Sequence, residues 1–294
     1  MAQTNFEQGK TIGDRYVIRE KIGRGGMGSV FLALDKKTGQ LVALKMLHAK
    51  YAGSKHAVAR FVREVTTARS LNHPGIVKIL DACKVDNMLF YTMEYVEGKT
   101  LRRWLQTRHR LEFQSVVRVL CLVADALSHA HKITIHRDLS PENIMVLKDG
   151  SIRLLDFGLA KLDDQFKGLT VVGANLGKLQ YMAPEQQVDP SGVDFRADLY
   201  SLGVMFYELL TGQAPRPGAR LSDLCPGLPP GVDDFAEKAM AAEPDQRFQS
   251  AFEFREALLA LYRTTQTQAD KRPQAKPSLG QRIRDFFAGL FRRK

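Results

Sequence analysis

Four short motifs occur in one order along this chain, and that order constrains its fold more than any other feature. Gly23-Arg24-Gly25-Gly26-Met27-Gly28 comes first, then Val42-Ala43-Leu44-Lys45, then His136-Arg137-Asp138 with Asn143, then Asp156-Phe157-Gly158. Each alone is a weak signal. Gly23, Gly25 and Gly28 even satisfy the dinucleotide-binding spacing, but that motif requires a helix directly after the glycines. Here the β-rich run Ser29 to Leu34 follows, and Arg15 to Ile22 reads as a strand entering the turn. The pattern predicts a hairpin in which glycines let the backbone approach a ligand closely.

Further strands are predicted over Leu41–Leu47, Lys78–Cys83 and Met88–Tyr95, and a helix over Ala57–Leu71. After Gly98 the periodicity turns helical, with helices predicted over Val116–His131, Asp198–Thr211, Asp233–Ala242 and Ser250–Arg263. A strand-rich first third and a helix-rich remainder predict two lobes joined near Glu94–Gly98.

Together the motifs resemble the protein-kinase signature set. The resemblance covers about residues 14–262 and implies an α+β, two-lobed fold: a small antiparallel-sheet lobe over 14–95 and a larger helical lobe over 96–262. It implies a nucleotide site with Gly23, Gly25 and Gly28 over the phosphates of ATP. Ile22, Val30, Ala43 and Met145 would pack the adenine faces, and the Glu94 carbonyl and Val96 amide would bond its edge. Lys45 would hold the α- and β-phosphates and pair with Glu64. Asp138 would be the catalytic base, and Asn143 and Asp156 would bind Mg²⁺, for which Mn²⁺ can substitute. Glu185 of Ala183-Pro184-Glu185 would pair with Arg247, and Asp198 would brace the catalytic loop. Arg137 implies an activation segment ordered by phosphate, and Thr170 is the one Ser or Thr between Asp156 and Glu185. Thr170 is thus the expected autophosphorylation site.

The chain departs from the family pattern in three places. Leu139-Ser140-Pro141-Glu142-Asn143 lacks the lysine that the pattern carries at the position of Ser140, and Lys178 stands where the pattern has threonine. In the family fold these positions face each other, so Lys178 is expected to fill the place vacated at Ser140. The alternative is an exposed loop lysine and impaired catalysis. The helix normally found between Pro215 and the Pro226–Pro230 region is reduced to Arg216–Cys225, rich in Pro, Gly and Arg. The glycine loop, Phe61-Val62-Arg63-Glu64-Val65 and Ala183-Pro184-Glu185-Gln186 look like the bacterial branch of the eukaryotic-type Ser/Thr kinases. The implied activity is transfer of the ATP γ-phosphate to Ser/Thr hydroxyls of protein substrates. A non-catalytic, ATP-binding scaffold is the rival reading.

The net charge of +11 does not point to nucleic acid, because nine Lys/Arg against two Asp/Glu lie from Arg263 onward. Residues 1–13 read as a leader and 263–278 as a flexible linker with Pro273 and Pro277. Over 279–294, Leu279, Ile283, Phe286, Phe287, Leu290 and Phe291 recur at helical spacing, with Arg282, Arg284, Arg292, Arg293 and Lys294 around them. Such a basic amphipathic helix suits a membrane surface or a partner groove, and both stay open. Cys83, Cys121 and Cys225 have no metal-ligand spacing, and the N-terminus lacks the apolar core of a signal peptide. These features predict a cytoplasmic protein, and a tail that rested on lipid would do so at the inner face of the membrane.

Overall fold

The computed structural model describes residues 8–25, 28–48, 55–85, 88–157, 176–189 and 192–270. Strands β1 (Thr11–Ile12), β2 (Tyr16–Gly25), β3 (Gly28–Asp35), β4 (Leu41–Leu47), β5 (Ile79–Val85) and β6 (Met88–Glu94) form an antiparallel sheet, ordered β1-β2-β3-β4-β6-β5. Helix α1 (Lys55–Ser70) precedes β5 in the chain and packs beside it. The near-continuous apolar run of β4 follows from burial on both faces. Val42, Leu44 and Met46 pack with Tyr16, Ile18, Phe31 and Phe90 on one face. Ala43 and Leu47, alternating with them, join the main core on the other.

β2 and β3 are a hairpin in which Gly23 pairs with Val30 and Gly25 with Gly28. A strand therefore follows the glycines, as the residue pattern predicts, and the dinucleotide reading falls. Gly28 is required for a reason the motif does not state. A Cβ there would lie 1.9 Å from the Met46 carbonyl oxygen of β4.

The chain crosses from the first lobe between Glu94 and Gly98. Strands β7 (Gly98–Thr100), β8 (Ile144–Leu147) and β9 (Ile152–Leu154) make a small second sheet beside helices α2 (Leu101–Arg108) and α3 (Phe113–Ala130). α3 has the length and hydropathy of a bilayer span, yet half of it is buried inside the protein. The short helices α4 (Leu176–Leu179) and α5 (Pro184–Val188) precede α6 (Arg196–Thr211), whose side chains from Ala197 to Leu210 are buried except Tyr200. α6 ends at Gly212, whose φ of 76° is left-handed and whose Cβ would meet the His109 carbonyl oxygen at 2.2 Å. In the shortened region the helix is one turn, α7 (Leu221–Leu224), followed by α8 (Val232–Ala239).

One boundary is corrected. The linker expected from residue 263 is helical to Asp270, because α9 runs Ala251–Asp270. No Pro or Gly interrupts 251–272, and the Thr264 and Thr265 hydroxyls bond back to the Leu261 and Tyr262 carbonyls within the helix. Thr170 and the segment 279–294 lie outside the described residues.

Candidate active site

The catalytic loop is anchored from below by Asp198, in the first turn of α6. Its carboxylate is 1% exposed and accepts the His136 and Arg137 backbone N–H groups at 2.9 and 2.8 Å. The His131 ring lies 2.9 Å from the same carboxylate. Burial raises the carboxyl pKa, but the His131 hydrogen bond and charge and the backbone donors outweigh it and hold Asp198 below the usual range. Arg137 adopts a left-handed φ of 64°, a strained conformation that this anchor sustains. The His136 ring spans the next junction. Its Nδ1 accepts from the Asp138 N–H at 3.3 Å and its Nε2–H donates to the Leu155 carbonyl at 2.9 Å. The loop carrying Asp138 and the strand end carrying Asp156 are thereby stitched together.

Asp138 is one-third exposed, at the mouth of the cleft. Asn143 is buried and its amide donates to the Asp138 carbonyl at 2.6 Å and to Asp138 Oδ2 at 3.0 Å. That leaves the Asn143 side-chain oxygen for a cation. Lys178 Nζ donates to Asp138 Oδ2 at 2.6 Å. Ser140, where the family pattern has lysine, is 1% exposed, and its buried hydroxyl has no hydrogen-bond partner among the described residues.

On the opposite wall, Lys45 is 6% exposed at the centre of β4. It does not pair with Glu64. Its ion pair is with Asp156 Oδ2, at 2.6 Å, while Glu64 is buried on α1. The expected partner is thus corrected. Asp156 adopts a left-handed φ of 59°. Its other oxygen accepts the Tyr91 hydroxyl at 2.7 Å. Burial raises the Asp156 pKa, but the Lys45 charge and hydrogen bond, with Tyr91, prevail and keep it low. Burial pushes the Tyr91 hydroxyl well above its ordinary value, so it remains a donor.

The oxygen set of Asn143 and Asp156 fits a hard divalent cation that completes its shell with substrate phosphates and water. Among the described residues no group of three or more His, Cys, Asp or Glu could hold a metal ion. Ile22, Val30 and Ala43 lie on the adjacent strands β2, β3 and β4, and Met145 on β8. Val30 and Val96 pack against the core that includes Ala43. Glu94 fixes the crossing segment, its carboxylate accepting the Lys78 N–H at 3.2 Å and facing Arg153 at 3.4 Å. The predicted brace forms as well. Arg247, with a fully buried side chain, grips both Glu185 oxygens at 2.7 Å.

The protein kinase domain family matches residues 16–268. This chain belongs to the protein kinase family. It is 36% identical over 271 residues to the probable serine/threonine-protein kinase SCO3848 of Streptomyces coelicolor, covering 85% of this chain and 40% of that one. It is 34% identical over 261 residues to the serine/threonine-protein kinase PrkC of Bacillus subtilis, covering 83% and 40%. The chain thus spans about two-fifths of the length of these curated relatives. Among solved structures it resembles the PknI kinase domain of Mycobacterium tuberculosis, with TM-score 0.71 and 29% identity, covering 87% of this chain and 99% of that one. The two-lobed kinase fold expected from the motifs is confirmed.

Two features of this kinase escape its motifs. One is the Tyr91 hydroxyl on Asp156. The other is Arg102 of α2, which donates to Glu142 at 2.7 Å and Glu208 at 2.8 Å and also contacts the Tyr181 hydroxyl. That hydroxyl in turn donates to Glu208. These contacts join α2, the catalytic loop, α6 and the segment after Lys178.

Proposed function

We propose that this kinase transfers the γ-phosphoryl group of ATP to Ser or Thr hydroxyls of protein substrates. The observation that carries this reading is the convergence of Asp138, Asn143 and Lys178 with Asp156 and Lys45, through contacts of 2.6–3.0 Å within each group. Asp138 Oδ accepts the proton of the attacking hydroxyl. The hydroxyl oxygen bonds to the γ-phosphorus as the bond to the β–γ bridging oxygen breaks, and ADP leaves. Asn143 and Asp156 would hold Mg²⁺, which would neutralise phosphate charge. Lys45 turns from Asp156 to the α- and β-phosphates, as a flexible ammonium with three donors allows. The hairpin of Gly23, Gly25 and Gly28 covers the phosphates, while Ile22, Val30, Ala43 and Met145 enclose adenine and Glu94 and Val96 bond its edge.

Lys178 takes the role of the lysine missing at Ser140. Its contact with Asp138 supports this placement, since the cation sits beside the base where phosphoryl charge develops. Thr170 is the autophosphorylation site, and its phosphate would offer acceptors to Arg137.

The reading is tested by mass spectrometry of the purified protein after Mg-ATP, beside a sample with ATP and EDTA. Phosphate on Thr170 in the first sample alone is expected. ATP binding with neither autophosphorylation nor modification of a generic protein substrate would instead establish the scaffold.

The segment 279–294 is proposed to rest on an anionic lipid surface, since each Lys or Arg near such a surface contributes on the order of 1 kcal/mol. Deleting it is expected to abolish co-sedimentation with phosphatidylserine vesicles; unchanged co-sedimentation would exclude the lipid contact.

A further inference from the structure

We propose that Tyr91 is a positioning residue for the metal site, its hydroxyl fixing the Asp156 carboxylate in the orientation that receives the divalent cation. The inference rests on the kinase reading of the cleft, because it needs Asp156 to be a metal ligand.

Tyr91 lies at the centre of β6, directly opposite Lys45 on β4 in the antiparallel register. Residues paired in this way share a face of the sheet, so both side chains enter the same cleft. They meet the same carboxylate from two sides, with Lys45 on Oδ2 at 2.6 Å and the Tyr91 hydroxyl on Oδ1 at 2.7 Å.

The two partners differ in what happens when substrate arrives. Lys45 ends a flexible stem and exchanges one anionic partner for another. Tyr91 is fully buried, and its ring packs near Phe61 of α1, 6.4 Å between centroids. A phenol on a short, packed side chain has nowhere else to donate. A carboxylate oxygen has two lone pairs, so Oδ1 can keep the Tyr91 hydrogen bond while the carboxylate ligates a cation. Tyr91 is therefore the constant partner of Asp156, and Lys45 the exchangeable one. Outer hydrogen bonds of this kind orient ligating groups, and their loss typically weakens metal binding about 10–100-fold.

The test is Tyr91→Phe, which keeps the ring and removes only the donor. Mn²⁺ binding to the protein loaded with a non-hydrolysable ATP analogue is followed by electron paramagnetic resonance. Metal affinity is expected to fall about tenfold, with metal-free binding of a fluorescent nucleotide unchanged. Metal affinity within twofold of wild type, tighter metal binding, or a parallel loss of nucleotide affinity would overturn the proposal. A second measurement needs no variant. In wild type carrying tyrosine labelled with carbon-13 at Cζ, the Tyr91 resonance is expected to shift when Mg²⁺ is added to the nucleotide-loaded protein, and a static resonance would overturn the assignment. Failure of the kinase reading is separately visible: a protein that binds no Mn²⁺ at all, in wild type or variant, would remove Asp156 as a ligand.

Discussion

Asp138→Asn is expected to lower kcat for peptide phosphorylation by about 10³-fold, and Lys178→Ala by about 10²-fold, with both variants folded. The first figure lies within the usual range for a lost general base. An asparagine keeps the shape of Asp138 but cannot take up the proton of the attacking hydroxyl. The second is the scale of removing one group that stabilises charge in the transition state, about 2.7 kcal/mol. Because Lys178 Nζ sits 2.6 Å from Asp138 Oδ2, the two losses should not add in the double variant. Steady-state kinetics at saturating ATP separates these outcomes. Restoring the lysine at its usual place, as Ser140→Lys in the Lys178→Ala background, should recover part of the rate. Full turnover by Lys178→Ala beside an inactive Asp138→Asn would remove Lys178 from the mechanism.

The largest effect on stability is expected at Arg247. Its side chain has no exposed surface, and it binds Glu185 through both terminal nitrogens. The same guanidinium donates to the carbonyls of Ala241, Ala242 and Arg196 and lies 5.0 Å from the centre of the Tyr200 ring. Arg247→Ala leaves these carbonyls and a largely covered carboxylate without their donor. Breaking a buried pair from one side costs about 3–5 kcal/mol. For a domain of this size that corresponds to a fall in melting temperature of about 10 °C. Differential scanning calorimetry reads it directly, and a fall of under 2 °C, roughly half a kcal/mol, would show that the network contributes little.

Much of this architecture is legible in the sequence because it is local. The apolar run of Leu41–Leu47 and the period of α3 and α6 place those elements within a few residues of their observed ends. The glycines are legible as a hairpin because the apolar run after them has a strand's composition. Lys45, Asp138, Asn143 and Asp156 are legible as a set because each sits in a recognisable short context, and the fold brings them to one cleft.

The failures are tertiary. Tyr91 reads as one more apolar strand residue, and only the arrival of Asp156, 65 positions later, gives its hydroxyl a partner. Arg102 and Glu208 are separated by 106 positions, and neither stands in a motif. Family grounds point Lys45 to Glu64, but the choice between buried Glu64 and half-buried Asp156 depends on distances that no spacing encodes. The helix continues to Asp270 because, despite the polar composition from residue 263, no helix breaker stands before Pro273.

Asp198 has a consequence for motion. The backbone N–H groups of two successive catalytic-loop residues end on a carboxylate rooted in the interior of the helical lobe. Loosening the loop therefore means opening the centre of the lobe, and its excursions carry the free energy of a sub-global unfolding event rather than that of a surface turn. The proton acceptor stands on ground as still as the core, and the time it spends out of place is set by the stability of α6.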